Sequence, residues 1–271
     1  EGPPESVAAI TPDDLKAYYR SAFSPAVATL HVAGDLSPKQ VRKATKNLVK
    51  KWKNFPVDLP EVSQPEKPEQ SAIYFVDVPG AKQSVIQIGG PAMPRTSPDY
   101  FPASVVNYKL GGSFNGILNL ILREEKGFTY GARSGFTGGR NYGEFMASSS
   151  VRSTATLESV EIFKNEMEKY VRHITPEDLQ FTKNALIKSN ALNFETLRAK
   201  LDMLTQISAY DKPFDFVRAE ENFIRSLTPE THRQLAQRFI LPGNLYYVIV
   251  GDAETQLREL EKAGLGTPVL L

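Results

Sequence analysis

The sequence predicts an α+β fold, an antiparallel-rich mixed sheet covered by helices on one face. Three observations carry that reading. Strand-type runs bounded by turn residues cluster at 71–77, 83–89, 128–137 and 143–151. Helical patterns cluster apart from them instead of alternating strictly with them, which is the signature of α+β and not of a doubly wound sheet. The chain has 271 residues, 41% hydrophobic and 23% charged, so it is long enough and apolar enough for a sizeable core. Its longest apolar strings, such as LYYVIV at 245–250, have strand length and fall short of a membrane span of about 18 residues.

The elements follow in order. Thr11 caps a first helix with Pro12 at its first position, where the missing N–H costs nothing. After Pro25 a β-rich run, 28–33, ends at Gly34-Asp35. Ser37-Pro38-Lys39-Gln40 opens a helix over 39–53 with a capping box. The four prolines of PVDLPEVSQPEKPE, 56–69, read as an extended linker. Pro79-Gly80 turns 71–77 into 83–89, and a helix over 98–109 is broken by Gly111-Gly112. A second helix, 113–126, carries Phe114, Ile117, Leu118, Ile121 and Leu122 on one apolar stripe and ends at a Gly127 cap. Strands 128–137 and 143–151 meet through Gly138-Gly139, and helices follow at 154–172, 176–192, 195–209 and 214–225. A helix, a strand and a helix close the chain.

The chain also repeats itself. ITPDDLKAYYRSAFSPAVATLHVAGD (Ile10–Asp35) aligns without a gap on LTPETHRQLAQRFILPGNLYYVIVGD (Leu227–Asp252) at an offset of 217. Thr11, Pro12, Pro25, Gly34 and Asp35 meet Thr228, Pro229, Pro242, Gly251 and Asp252, and apolar positions fall in step. The predicted organisation is therefore a helix–strand–helix tail of a preceding repeat (1–55), a Pro-rich linker (56–70) and one complete repeat unit (71–271). EGPPESVAAI has neither a basic n-region nor an apolar h-region, and no Met opens it, so the chain reads as cut from something longer.

Most chemistries are excluded by inspection. Lys+Arg is 32 against Asp+Glu 31, so the net charge of +1 gives no field for nucleic acid. There are no cysteines, which removes thiol catalysis and thiolate zinc sites. No nucleophile elbow, Walker loop or dinucleotide fingerprint is present. His31, His173 and His232 are scattered, none with a second His at ligand spacing, so no metal site is expected on this chain. The basic helix KQVRKATKNLVKKWK fits two readings. It is either a polyanion- or membrane-facing surface, or a helix docked by Val41, Ala44, Leu48 and Trp52 with a solvated lysine face.

The segment most informative about chemistry is LGGSFNGILNLILREEKGFTYGARSGF, Leu110–Phe136. Asn115, Asn119 and Arg123 fall on the helix face opposite the apolar stripe, and Tyr130 enters the next strand seven residues after Arg123. An arginine near a helix end and a tyrosine in the adjacent strand can converge on one point. Five guanidinium donors and one phenol there suit a peptide carbonyl or a developing oxyanion. In the alternative, Arg123 pairs with an acid such as Glu124 and Tyr130 is sheet core. The residues alone leave both open.

That segment resembles the second domain of the pitrilysin/insulinase-like zinc metallopeptidases, the inverzincin group to which mitochondrial processing peptidase belongs. The resemblance extends over essentially the whole chain through the Thr-Pro helix starts and Gly-Asp strand ends. It implies the processing-peptidase-like metallohydrolase fold, in tandem units. In that family a catalytic unit bears H-x-x-E-H, two zinc-binding His and a general-base Glu; this chain contains no such motif. The resemblance implies a non-catalytic half, inactive alone and without metal or cofactor. Zinc is expected on a catalytic partner unit, on the same parent chain or a separate subunit. Arg123 and Tyr130 are then substrate-binding, with Gly111 and Gly112 on the loop beside them. The expected ligand is a peptide or unfolded protein, with no nucleic-acid or membrane partner. A structural scaffold subunit and a stand-alone peptide-binding module are the alternatives. Neighbouring units of the family exchange closing strands, so the resemblance also implies that 28–33 completes the sheet of 71–151. Strand 245–250 would then be an orphan with an open edge, and must either fold back onto its own sheet or pair with another molecule's copy as a dimer.

Overall fold

A computed structural model describes residues 2–192 and 194–271. The chain divides into two compact units. One comprises residues up to Val62 together with the segment ending at Ala209, and the other comprises Ser63–Leu192 and Tyr210–Leu271.

The second unit is built on a six-stranded sheet. Its strands are β1 (Ala72–Asp77), β2 (Gln83–Ala92), β3 (Thr129–Gly138), β4 (Gly143–Arg152), β5 (Tyr246–Gly251) and β6 (Val269–Leu270), in the order β3-β4-β2-β5-β1-β6. The β3–β4, β4–β2 and β2–β5 ladders are antiparallel, whereas β5–β1 and β1–β6 are parallel. The sheet is thus mixed and antiparallel-rich. Alternate residues on each strand are buried, among them Ile73 and Phe75, Ile86 and Ile88, Tyr247 and Ile249. This period-two burial turns one face to the helices and leaves the other open.

The covering helices are α4 (Tyr100–Asn107), α5 (Ile117–Asn119), α6 (Thr156–Tyr170), α7 (Pro176–Leu192), α9 (Phe216–Ser226) and α10 (Pro229–Phe239). α4 passes into a π-helical stretch at Tyr108–Gly112, and α5 into another at Leu120–Glu125. A short helix, α11 (Ala253–Gln256), and a 3₁₀ turn at Glu259–Ala263 lead to β6. Val106, Leu110, Leu118, Leu122, Phe163 and Met167 meet the buried sheet residues in one core. Full burial of such side chains contributes about 1.5–3 kcal/mol each.

The first unit contains α1 (Pro4–Ala8), α2 (Pro12–Ala22), α3 (Pro38–Lys51) and most of α8 (Leu197–Tyr210). The capping boxes at Thr11/Asp14 and Ser37/Gln40 are both formed. Local bonds tie the unit: the Trp52 indole donates to the Phe23 carbonyl (3.0 Å), and Ser24 Oγ to the Phe55 carbonyl (2.6 Å). Among the described residues of this unit Ser24 alone is buried, so it has no apolar core. The stripe expected to dock α3 is not covered within the unit, where Leu48 is exposed and Val41 and Trp52 are only half-buried.

Two expectations are corrected. Residues 28–33 form no strand and join no sheet, and 245–250 is no orphan but lies in its own unit's sheet, the first of its two alternatives: β5 is flanked by β2 on one side and β1 on the other. The reason is that a strand exists through its ladder. The second copy of the repeat finds two neighbours inside its own unit, whereas the first copy lies in a unit with no strand among the described residues. With both edges of β5 occupied, a dimer through its open edge loses its basis. The second correction concerns 113–126, whose helix begins only at Ile117 and widens into the π stretch, leaving Phe114 outside it.

The two copies supply a direct comparison. Ile249→Ala, in the middle of the sheet, should lower the unfolding free energy by about 2–5 kcal/mol. Val32→Ala, the same repeat position in the first copy, should change it by less than about 0.5 kcal/mol. Urea denaturation of the two variants measures the difference.

Candidate functional site

The site is built on an irregularity in β3. Ala132, Ser134 and Phe136 are buried against the helices, and simple alternation would carry Tyr130 into the core with them. The β3–β4 register shifts at this point: Thr129 faces Val151 but Ala132 faces Ser149, so β3 holds one extra residue. This bulge reverses the phase, and Tyr130 is 92% exposed. The reading of Tyr130 as sheet core is thereby overturned.

The backbone groups that the bulge removes from the ladder are satisfied by side chains, as buried amides require. Gly131 N donates to Thr129 Oγ1 (3.0 Å), and the Ser149 hydroxyl lies 2.9 Å from both Thr129 Oγ1 and the Gly131 carbonyl. Ala132 N donates to Asn119 Oδ1 (3.0 Å). The same Asn119 donates from Nδ2 to the Phe114 carbonyl (2.8 Å). Asn119 is 3% exposed, so the expected polar face of Asn115, Asn119 and Arg123 does not exist as such. The late helix start and the π widening turn Asn119 inward, where it clamps the Phe114 loop to the bulge.

The loop itself lies close against β3. A Cβ on Gly111 would stand 2.4 Å from Ser134 N and Oγ, so only glycine fits there, while Gly112 borders Asn107. Phe114, expected in the core, is 66% exposed. The Arg123 guanidinium lies over its ring, 4.7 Å from the centroid, and Arg123 Nε is 3.5 Å from Glu124 Oε1. Arg123 thus makes the ion pair the sequence left open, a half-exposed contact of small worth, and also a cation–π contact. Gly127 closes the helix with φ 61°.

These pieces surround a groove of about 640 Å³ on the open sheet face. Gly111, Gly112, Phe114, Tyr130 and Arg133 line it, with a floor of small hydroxyl and amide side chains. Tyr130 stands in the groove, and Arg123 is joined to it through Phe114. Sequence reasoning placed Phe114 in the core and Asn119 on a polar face, the reverse of what is found, and missed Arg133, which had a readable signal as the charged residue between Ala132 and Ser134.

The histidines stand apart. His31 Nε2 is 2.8 Å from Ser208 Oγ within the first unit, and no strand holds it. His173 is exposed just beyond α6. His232 is fully buried in α10, its Nε2 3.2 Å from the Tyr170 hydroxyl, which donates to the Val106 carbonyl (2.7 Å). Burial lowers the His232 pKa from 6.5 to about 4. Among the described residues no three His, Asp or Glu side chains come together where a metal could be held. That donor set does not fit zinc.

A family profile described as the peptidase M16 inactive domain matches residues 9–186, about two thirds of the chain. The chain belongs to this family. An uncharacterized zinc protease of Streptomyces coelicolor is 23% identical over 208 residues, 75% of this chain and 45% of that protein. The crystal structure of a peptidase M16 inactive domain from Pseudomonas fluorescens superimposes with a TM-score of 0.83 at 24% identity, over 93% of this chain and 60% of that one. A protease from Helicobacter pylori gives 0.80 at 16% identity, over 92% and 61%. These two structures show the fold. The chain spans less than half the length of the curated relative it matches.

Two outcomes follow from the M16 domain's geometry. Asn119→Ala strands the Ala132 N–H and the Phe114 carbonyl, and should lower the unfolding free energy by about 1–3 kcal/mol. Tyr130→Phe, on an exposed ring, should leave it within about 0.5 kcal/mol; equilibrium denaturation compares them. A histidine whose folded pKa lies below its unfolded value binds more protons when unfolded. Its stabilisation is therefore complete above pH 6.5 and lost as pH falls towards about 4. Unfolding free energy should drop across that window, and His232→Gln should flatten the slope.

Proposed function

We propose that this M16 inactive domain is the substrate-binding, non-catalytic half of a zinc metalloendopeptidase. In this reading it closes over an extended peptide while a partner unit supplies zinc and the general base. The partner is a zinc-bearing M16-type unit, on the same parent chain or a separate subunit. Residues 1–55 are the tail of that preceding repeat, 56–70 the linker, and 71–271 the complete inactive unit.

One observation carries the reading: a tyrosine that alternation would bury is turned outward by a stapled bulge into a groove on the open sheet face. A scaffold role gives no reason for that arrangement. The Tyr130 hydroxyl and the Arg123 guanidinium donate hydrogen bonds to backbone carbonyls of the peptide. Phe114 offers a flat apolar surface between them. Carbonyl-directed donors of this kind hold a peptide with little regard for its side chains, and gain strength as charge develops on the scissile oxygen. The chain's own part is to bind and orient; bond breaking belongs to the partner.

The test is turnover of the two-half enzyme, reconstituted or as the full parent polypeptide. Arg123→Ala should lower turnover by about 10²–10³-fold, the scale of one oxyanion-type donor, and Tyr130→Phe should lower it by less. Thermal midpoints should be unchanged. If midpoints fall by many degrees while turnover per folded molecule holds, the pair is structural. Tight peptide binding by the isolated chain that a partner unit neither strengthens nor uses would instead make it a stand-alone peptide-binding module.

A further inference from the structure

The groove holds a cation that nothing neutralises. Arg133 is exposed on β3 and lines the groove, and its side chain makes no hydrogen bond, ion pair or ring contact among the described residues. Four other exposed or half-exposed arginines are paired with acids: Arg198 with Asp202, Arg218 with Asp215, Arg225 with Glu221 and Arg238 with Asp99. No Asp or Glu lines the groove. A free guanidinium on a surface cleared of acids is complementary to an anion.

The sheet register adds donors beside it. Arg133 faces Ser148 on β4, and Ser148 faces Gln87 on β2, so the three form one row across the open face. Side chains in such a row stand about 4.5–5.5 Å apart at Cβ, within reach of one small planar group. All three line the groove. The fork of an arginine matches a carboxylate in two parallel hydrogen bonds, and a serine hydroxyl or glutamine amide can add a third.

We propose that Arg133, with Ser148 and Gln87, is a carboxylate-recognition subsite that selects peptides bearing a carboxylate near the segment held by Tyr130. The carboxylate is an acidic side chain or a free C-terminus. The proposal rests on the peptide-binding reading above and adds a side-chain preference to it. The groove lies wholly within the second unit, so the chain by itself displays the preference.

Peptide binding to the intact chain tests it, read by fluorescence anisotropy with a neutral dye. Three extended peptides of one sequence are compared: Gln at a central position with an amidated end, Glu there with an amidated end, and Gln there with a free C-terminus. At low salt at least one carboxylate peptide should bind about 3- to 10-fold tighter than the neutral one, the scale of a charge-assisted bond in an open groove. The arm that gains identifies the source. The preference should shrink at about 0.5 M salt, vanish in Arg133→Gln and survive in part in Arg133→Lys. Equal binding of all three peptides, or a preference that persists in Arg133→Gln, overturns the subsite. If the neutral peptide binds and Tyr130→Ala weakens it, the peptide-binding reading stands even when the subsite falls. If no peptide binds, both fall.

Discussion

The extra residue between Thr129 and Ala132 is the constraint on which the site depends. Without it Tyr130 would continue the inward series of Ala132, Ser134 and Phe136, and the open face would lose its aromatic donor. A bulge frees backbone groups, and each must find a partner. Thr129 and Ser149 supply two, and Asn119 supplies the third from the helix side. Because Asn119 also holds the Phe114 carbonyl, one buried amide sets both walls of the groove. The π-helical turn is part of the same device, since it brings the amide to the inner side of a helix whose neighbours Leu118 and Leu122 are core.

Much of this was legible before any coordinates. The strands at 71–77, 83–89, 128–137 and 143–151 and the long helices from 154 onward emerge within a few residues of their expected limits, because alternation and capping are local signals. Arg123, Tyr130 and the Gly111-Gly112 loop all fall at or beside the groove. What the sequence did not reveal were departures from period. A helix of regular pitch put Phe114 in the core and Asn119 on the surface, and the real late start and π turn exchange them. A regular strand left Tyr130 undecided between core and groove, since no local pattern announces one extra residue.

The repeated tail makes a second physical point. ATLHVAGD and LYYVIVGD have related patterns and different structures. The second is β5, bonded on both sides, and the first is irregular backbone with Leu30 62% exposed. Strand formation is a property of neighbours more than of the run itself, unlike a helix, which closes its own hydrogen bonds. Membership of the M16 inactive-domain family accounts for the absence of H-x-x-E-H from a chain of this fold, and directs attention from metal ligation to what the open sheet face presents.

The central claim is that the bulge turns Tyr130 into a groove that receives an extended peptide. A peptide carrying a photo-activated cross-linker at its middle residue, irradiated with the folded chain and mapped by mass spectrometry, addresses it most directly. The account predicts adducts on the 111–114 loop and on 130–133, lost on competition with unlabelled peptide. Adducts confined to other surfaces of a chain whose fold is intact would contradict it.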